Sequence, residues 1–259
     1  MSSSIGRGGR ILASLAAATL TVSAVAGGAA AQERGPGAAA GAAASSPLSP
    51  FAARKAERLL REQLPCLGCH TLGDEGGKIG PDLTTVRARR SAAYVAAMVA
   101  DPQATAPAAA MPKVAMPEAT RLLVVRYLAS RPGSAGGAAP APTAAPRPAA
   151  AADGAALYER WCAACHGAGG NGDGPNAPFL PVKPAVHADA KAMALRPDDS
   201  LYDTIAGGGG IMNRSPRMPP FGATLSAAEI RALVAHIRAL CRCQGPEWSR
   251  DGSPARGSR

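Results

Sequence analysis

Hydrophobic residues recur at three- and four-residue spacing in several stretches of the chain, most clearly in residues 226–240 (SAAEIRALVAHIRAL). Such spacing places the apolar side chains on one face of a helix that packs against a core. Here the predicted face consists of Ile230, Leu233, Val234, Ile237 and Leu240. Ser226 and Glu229 have the spacing of a capping box, which predicts where this helix begins. In residues 118–130 the equivalent face is marked by Leu122, Val125 and Leu128.

The predicted helices follow one plan twice. Each copy has a helix, a C-x-x-C-H motif, a Gly-rich loop, a second helix, a loop with Met-Pro and a closing helix. The helices of the first copy are predicted at 51–64, 91–100 and 118–130, and those of the second at 153–161, 198–208 and 226–240. The pattern predicts an all-α fold with two tandem helical domains, residues 51–132 and 153–245.

The remaining segments are predicted to lie outside these domains. Residues 1–31 have the positive, apolar and small-residue regions of a cleaved signal peptide, with an uncleaved anchor as the alternative. Residues 32–50 and 246–259 are predicted to be flexible, and residues 133–152 form a Pro/Ala-rich linker. The mature chain is thus expected to be periplasmic, in an oxidising compartment, without an integral membrane span.

Charge differs between the two copies. The whole chain has a formal net charge of +10; residues 51–132 carry 12 basic and 7 acidic residues, whereas residues 153–245 carry 9 and 8. The basic first copy fits either an acidic partner surface or an ordinary solvated face. Because aromatic residues are few and no nucleic-acid motif is found, nucleic-acid binding is not expected.

The two motifs are CLGCH, with Cys66, Cys69 and His70, and CAACH, with Cys162, Cys165 and His166. Cysteines three apart at a helix end project to one side, where both can reach the vinyl groups of one porphyrin. The following histidine can ligate the iron, so C-x-x-C-H indicates c-type haem attachment. The alternatives are a thioredoxin-like redox pair, which needs a strand before it, and a zinc site that adds Cys241 and Cys243.

Both copies resemble class I cytochrome c domains. The resemblance rests on CLGCHTLGDEGGKIGPDL in the first copy, and on LYERWCAACHGAGGNGDG and RMPPFGATLSAAEIRALVAHI in the second. It implies a small helical fold around each of two covalently bound haem c groups, with histidine and methionine as axial ligands to iron. A proline carbonyl is expected to accept a hydrogen bond from each histidine. Pro81 matches this role in the first copy, and in the second copy Pro184 is preferred to Pro175 and Pro181.

The methionine ligands are assigned by their place in the Met-Pro loops. Met218 is preferred to Met212 because Pro219 follows it and the closing helix begins soon after. Met111 is preferred to Met116, which aligns with a packing position at the start of the helix. The other two histidines, His187 and His236, are expected to be exposed or partly exposed rather than ligands.

Cys241 and Cys243 are left without a role in the motifs. A disulfide between them is favoured, and a surface metal site, an intermolecular link or free thiols are the alternatives.

The function expected from the resemblance is that of a periplasmic di-haem cytochrome c. It would carry single electrons between redox proteins, such as a dehydrogenase and an oxidase, and would not itself be an enzyme. Methionine fills the sixth iron position, which suits electron transfer rather than bond-making chemistry. The alternative is a di-haem peroxidase, which requires one haem with an open sixth position.

Overall fold

A computed structural model describes residues 47–133 and 153–249, which we call the first segment and the second segment. Both fall within one compact unit. The predicted signal peptide, the linker after residue 133 and most of the two predicted flexible ends lie outside the described residues. In the described part of the chain, no helix has the length and apolar character needed to cross a bilayer.

The first segment contains five α-helices and a β-hairpin. Its elements are α1 (Pro50–Arg58), a π-helical turn (Leu59–Gln63), a 3₁₀ turn (Pro65–Gly68), β1 (Thr71–Leu72), β2 (Glu75–Gly76), α2 (Val86–Arg89), α3 (Ala92–Ala100), α4 (Pro102–Thr105) and α5 (Glu118–Ala129). The Ser49 side chain caps α1 by accepting from the Ala52 amide, and the helical stretch ends at Leu64. Leu64 is extended, as expected for a residue that precedes proline.

Two features of the first segment differ from the sequence-based expectations. The Gly-rich loop after the first motif contains an antiparallel ladder that pairs Thr71 with Gly76, where no strand was predicted. The predicted inner face of α5 is wrong at Leu122, which is 48% exposed. The buried residues are Val124, Tyr127 and Leu128, which also follow helical spacing but lie on an adjacent face, turned towards α1 and α3.

The second segment contains α6 (Gly154–Trp161), α7 (Ala163–His166), a 3₁₀ turn (Ala177–Phe179), α8 (Ala190–Ala194), α9 (Asp198–Gly207), a 3₁₀ turn (Gly209–Met212), α10 (Ala227–Cys241) and a final 3₁₀ turn (Glu247–Ser249). The predicted capping box of Ser226 and Glu229 is formed, and it starts α10. Of the predicted face of α10, all residues are buried except Leu240, which is partly buried. This face packs mainly against α6.

Each segment builds its own hydrophobic core. The first core surrounds the fully buried residues Ala56, Leu60 and Leu67. The second core surrounds Tyr158, Met193, Ile230 and Leu233, and Cys162 and Met218 pack against it. The described residues are therefore mainly helical, as predicted, and each C-x-x-C-H motif lies beside a separate core.

Candidate functional site

The first motif lies on a tight turn that directs its chemical groups to one side. The 3₁₀ turn begins at Pro65, and the His70 amide donates to the Cys66 carbonyl at 3.0 Å. Cys66, Cys69, His70 and Met111 all line one cavity of about 680 Å³. Cofactor pockets typically have volumes of about 300–1,000 Å³ and mostly apolar walls. The walls here are largely apolar, with contributions from Ile79, Leu83, Val95, Val99 and Leu128.

The His70 ring is oriented as an iron ligand requires. Its Nδ1 lies 2.8 Å from the Pro81 carbonyl oxygen, as the sequence predicted. Because a carbonyl only accepts, Nδ1 carries the proton, and Nε2 keeps a lone pair for a metal. Burial lowers the pKa of His70, which favours the neutral imidazole.

Gly80 makes room for this ring. A Cβ at residue 80 would lie 2.6 Å from Nδ1 of His70. Since real Cβ atoms do not approach so closely, a larger residue would displace either the loop or the imidazole. The glycine of the GPDL turn is therefore required by the close approach of loop and ring.

The loop that carries Met111 is fixed by polar contacts. Gln103 donates to the Met111 carbonyl at 2.5 Å, and Lys113 forms an ion pair with Asp101 at 2.8 Å. Met116 also lines the cavity and packs against the first core. The choice of Met111 over Met116 as the ligand stays a prediction.

The second motif repeats the same local geometry on α7. The His166 amide donates to the Cys162 carbonyl at 2.9 Å. Nδ1 of His166 lies 2.9 Å from the Ala185 carbonyl oxygen, so the prediction that Pro184 accepts this bond is wrong by one residue. The long loop is placed so that the Pro184 carbonyl faces Gly172 instead, where a Cβ would approach it to 2.9 Å. Burial again lowers the pKa of the histidine.

His187 is buried rather than exposed, which contradicts the sequence-based expectation. It is only 8% exposed, and its ring stacks on His166 with centroids 4.1 Å apart and planes 12° apart. Its Nδ1 lies 2.9 Å from the Tyr158 hydroxyl. Burial holds the pKa of His187 far below its usual range, so this ring is neutral. His236 is partly buried, as expected, and its ring lies against Tyr158.

Met218 is partly buried and packs against the second core, as Cys162 does. Its carbonyl accepts from the Gly209 amide at 3.0 Å. Met218 also lines a second cavity of about 480 Å³, together with Leu64 and Pro65 of the first segment. Met212, the rival candidate, lies at the end of a 3₁₀ turn. Met218 stays the predicted ligand for the second motif.

Trp161 immediately precedes the second motif and has an unpaired donor. Its indole Nε1 is buried, and it has no hydrogen-bond partner among the described residues. Buried donors in folded proteins are normally paired. An acceptor on a bound group, such as a carboxylate at the edge of a porphyrin, would satisfy this atom.

The chemistry of the cysteines fits thioether attachment. Burial raises the pKa of Cys66 to about 11, that of Cys69 to about 12 and that of Cys162 to about 12. Metal-binding cysteines act as thiolates, which such surroundings disfavour, whereas neutral thioethers are compatible with apolar surroundings. Cys241 and Cys243 form the favoured disulfide, which removes them from the alternative zinc site.

The two motifs lie close to each other, which the sequence did not reveal. The side chain of Asn176, in the loop after the second motif, contacts both Gly68 and Cys165. Arg217, beside Met218, is 7% exposed and forms an ion pair with Glu75 of the first segment. Asparagine in a Gly/Pro-rich loop has the appearance of an ordinary turn residue, and no sequence signal distinguishes Asn176 from Asn171.

Comparison with known families gives a match over part of the chain. Residues 149–237 match the family described as Cytochrome C oxidase, cbb3-type, subunit III. Searches of curated proteins and of solved structures gave no match. The matched residues include Cys162, Cys165, His166 and Met218, which implies covalently bound haem c and an electron-carrying function. Residues 149–237 of this chain therefore form a cytochrome c domain.

Proposed function

We propose that the chain is a periplasmic di-haem cytochrome c, with one haem c in each segment, that carries single electrons between redox proteins. The family match supports the second haem site, and the first is supported by the cavity that Cys66, Cys69, His70 and Met111 line. That cavity is the observation on which the haem of the first segment depends. The predicted signal peptide supports export.

The residues have distinct tasks in this proposal. The cysteine sulfurs would anchor each porphyrin, and His70 and His166 would bind iron through Nε2, since backbone carbonyl oxygens hold Nδ1 of both rings. Met111 and Met218 would supply the thioether ligands to iron. Bound haem supplies a one-electron couple, and a thioether opposite histidine raises its reduction potential. The family match gives no support to the peroxidase alternative.

An acidic partner surface is proposed to face the first segment. Arg89 and Arg90 are exposed and lie at the wall of the first cavity. Arg89 donates to the Asp82 carbonyl at 2.7 Å, and Arg90 lies over the Tyr94 ring, so both positive charges remain at the surface. Attraction between opposite charges raises the association rate of two proteins, and at physiological ionic strength salt screens this attraction beyond about 8–10 Å. A donor or acceptor could thus be steered towards the cavity from which the first haem would exchange electrons.

The proposal is tested by counting haem and electrons in the mature protein. A pyridine haemochrome assay should give two c-type haems per chain, and a potentiometric titration should show two one-electron steps. One haem per chain would restrict the function to the second segment. Rapid turnover of hydrogen peroxide with a reduced donor would contradict the assignment as a carrier.

A further inference from the structure

Asn176 is a fully buried polar residue between the two motifs, with 0% exposure. Its Nδ2 donates to the Gly68 carbonyl at 2.7 Å and to the Cys165 sulfur at 3.3 Å. Its Oδ1 accepts from the Lys78 amide at 2.9 Å. Burying an amide is costly unless it is hydrogen-bonded, and this side chain uses both its donor and its acceptor atoms.

The partners of Asn176 belong to the haem-attachment elements themselves. Gly68 lies between Cys66 and Cys69 in the first motif, and Cys165 is the second cysteine of the other motif. The backbone of Asn176 is fixed as well, because its amide donates to the Ala164 carbonyl at 2.9 Å. Asn176 therefore links the backbone between Cys66 and Cys69 to the sulfur of Cys165.

The first segment is shaped to accept this side chain. A Cβ at Gly77 would lie 2.5 Å from the Gly68 carbonyl oxygen and 2.7 Å from Oδ1 of Asn176, so only glycine leaves room for the side chain there. Ala164 of the second motif lines the first cavity.

We propose that Asn176 is a positioning residue that holds the two haem-attachment motifs in contact and provides a hydrogen-bonded path for electron exchange between them. The inference rests on the proposed di-haem function. In the exchange, the Fe(II) of one haem loses one electron and becomes Fe(III), and the Fe(III) of the other gains it and becomes Fe(II). No proton is transferred, and no further oxidant or reductant is consumed.

The contact to Cys165 is compatible with haem attachment. Asn176 is the donor, so the hydrogen bond does not need a thiol proton. A thioether sulfur remains a weak acceptor after it has bonded to the porphyrin. The path therefore runs from the backbone of the first motif, through the Asn176 amide, to a sulfur that is bonded to the second haem.

The test compares Asn176→Leu with Thr224→Val in the haem-loaded protein. Leucine has a similar volume but no hydrogen-bonding groups. The Thr224 hydroxyl accepts a hydrogen bond from the Lys113 amide at 2.8 Å. This hydrogen bond also joins the two segments, but both of its residues lie outside the C-x-x-C-H motifs. The readouts are the rate of electron exchange between the haems after rapid photoreduction, both reduction potentials, and hydrogen exchange at the Lys78 amide.

We expect Asn176→Leu to slow electron exchange about tenfold and to accelerate exchange of the Lys78 amide about 10- to 100-fold, since a buried amide loses its partner. Thr224→Val should leave the electron-exchange rate within about twofold, because its lost bond is a single neutral one. If Asn176→Leu folds poorly, Gly77→Ala tests the same contact from the first segment. Its Cβ would press on the Gly68 carbonyl, which accepts from Asn176, and on Oδ1, so the same slowing is expected.

Three results would overturn the inference, and they can be told apart. Fewer than two haems in the unaltered protein would remove the proposed function and the inference with it. Two haems with an unchanged electron-exchange rate in Asn176→Leu would remove only the inference. Equal slowing by Asn176→Leu and Thr224→Val would show a general loosening of the contact between segments rather than a path through Asn176.

Discussion

In the first segment the His70 ring packs against Gly80, whereas in the second segment the His166 ring stacks on another imidazole, that of His187. Both rings are held by one backbone carbonyl at almost the same distance, 2.8 Å in one and 2.9 Å in the other. The elements that supply the carbonyl differ, a short GPDL turn in the first segment and a long loop in the second. The contact between the histidine and a backbone carbonyl is thus repeated, whereas the surroundings of the two rings differ.

This difference separates what a motif determines from what its surroundings determine. The C-x-x-C-H spacing fixes where the sulfurs and the imidazole lie relative to each other. The neighbours of each ring then set burial and ligand orientation, which tune a haem site. We therefore expect two haems with the same ligands and different reduction potentials.

The strongest test of the comparison removes the anchoring sulfurs of one segment at a time. The double variant Cys66→Ala with Cys69→Ala should reduce the haem content from two per chain to one, because no thioether can form in the first segment. The matched pair Cys162→Ala with Cys165→Ala should have the same effect through the second. Haem is counted by the pyridine haemochrome assay. An unchanged count in the first double variant would mean that only the second segment carries haem.

Replacing the methionines should separate the two haems in potential. In Met111→His the potential of the first haem should fall on the order of 0.1 V, a part of the ~0.8 V range that axial ligands set, because imidazole favours Fe(III) more than a thioether does. Met218→His should act in the same way on the second haem alone. Visible-region potentiometric titration measures both changes.

The controls are Met116→Leu and Met212→Leu, which should leave both potentials and the Met-to-ferric absorption band unchanged. Loss of this band from one haem in Met116→Leu, with Met111→Leu silent, would reverse the ligand assignment in the first segment.

Short-range features of this molecule could be predicted from its sequence. The capping box at Ser226 was correctly predicted because it depends on two residues three positions apart. The Pro81 carbonyl, 11 residues after His70, was correctly predicted because the GPDL turn resembles that of class I cytochromes c. The Cys241–Cys243 disulfide was favoured because the other four cysteines were assigned to haem attachment.

Features that depend on long loops or on contact between segments could not be predicted. The predicted carbonyl partner of His166 was wrong by one residue because 18 residues, with only a short 3₁₀ turn among them, separate the motif from Ala185. The burial of His187 depends on its fit beside Tyr158 and His166, and that of Asn176 depends on the first segment. Neither residue has a local pattern that marks it as buried, because the partners are distant in sequence.

A methyl group at Gly80 should damage the first site selectively. Gly80→Ala forces a Cβ against the His70 ring, and overpacking of this kind costs typically about 1–3 kcal/mol. We expect a lower denaturant midpoint and a weaker Met-to-ferric band from the first haem only. The matched control is Gly210→Ala in the second segment, where the nearest atom to a new Cβ is 4.0 Å away. Equal effects of the two variants would contradict the steric requirement at Gly80.

The smallest expected effect lies in the support of His187. Tyr158→Phe removes the hydroxyl that lies 2.9 Å from Nδ1 of His187, and losing one hydrogen bond of a buried pair costs about 1 kcal/mol. The His187 ring would then be free to shift on His166, so the ligand-field bands of the second haem should change while those of the first stay constant. Tyr202→Phe, which alters another tyrosine packed against the same core, serves as the control and should leave both spectra unchanged. A stability loss in Tyr158→Phe without a spectral change would mean that Tyr158 and His187 contribute only to packing. The two proposed haem sites would then have different surroundings, but their histidines would be held in the same way.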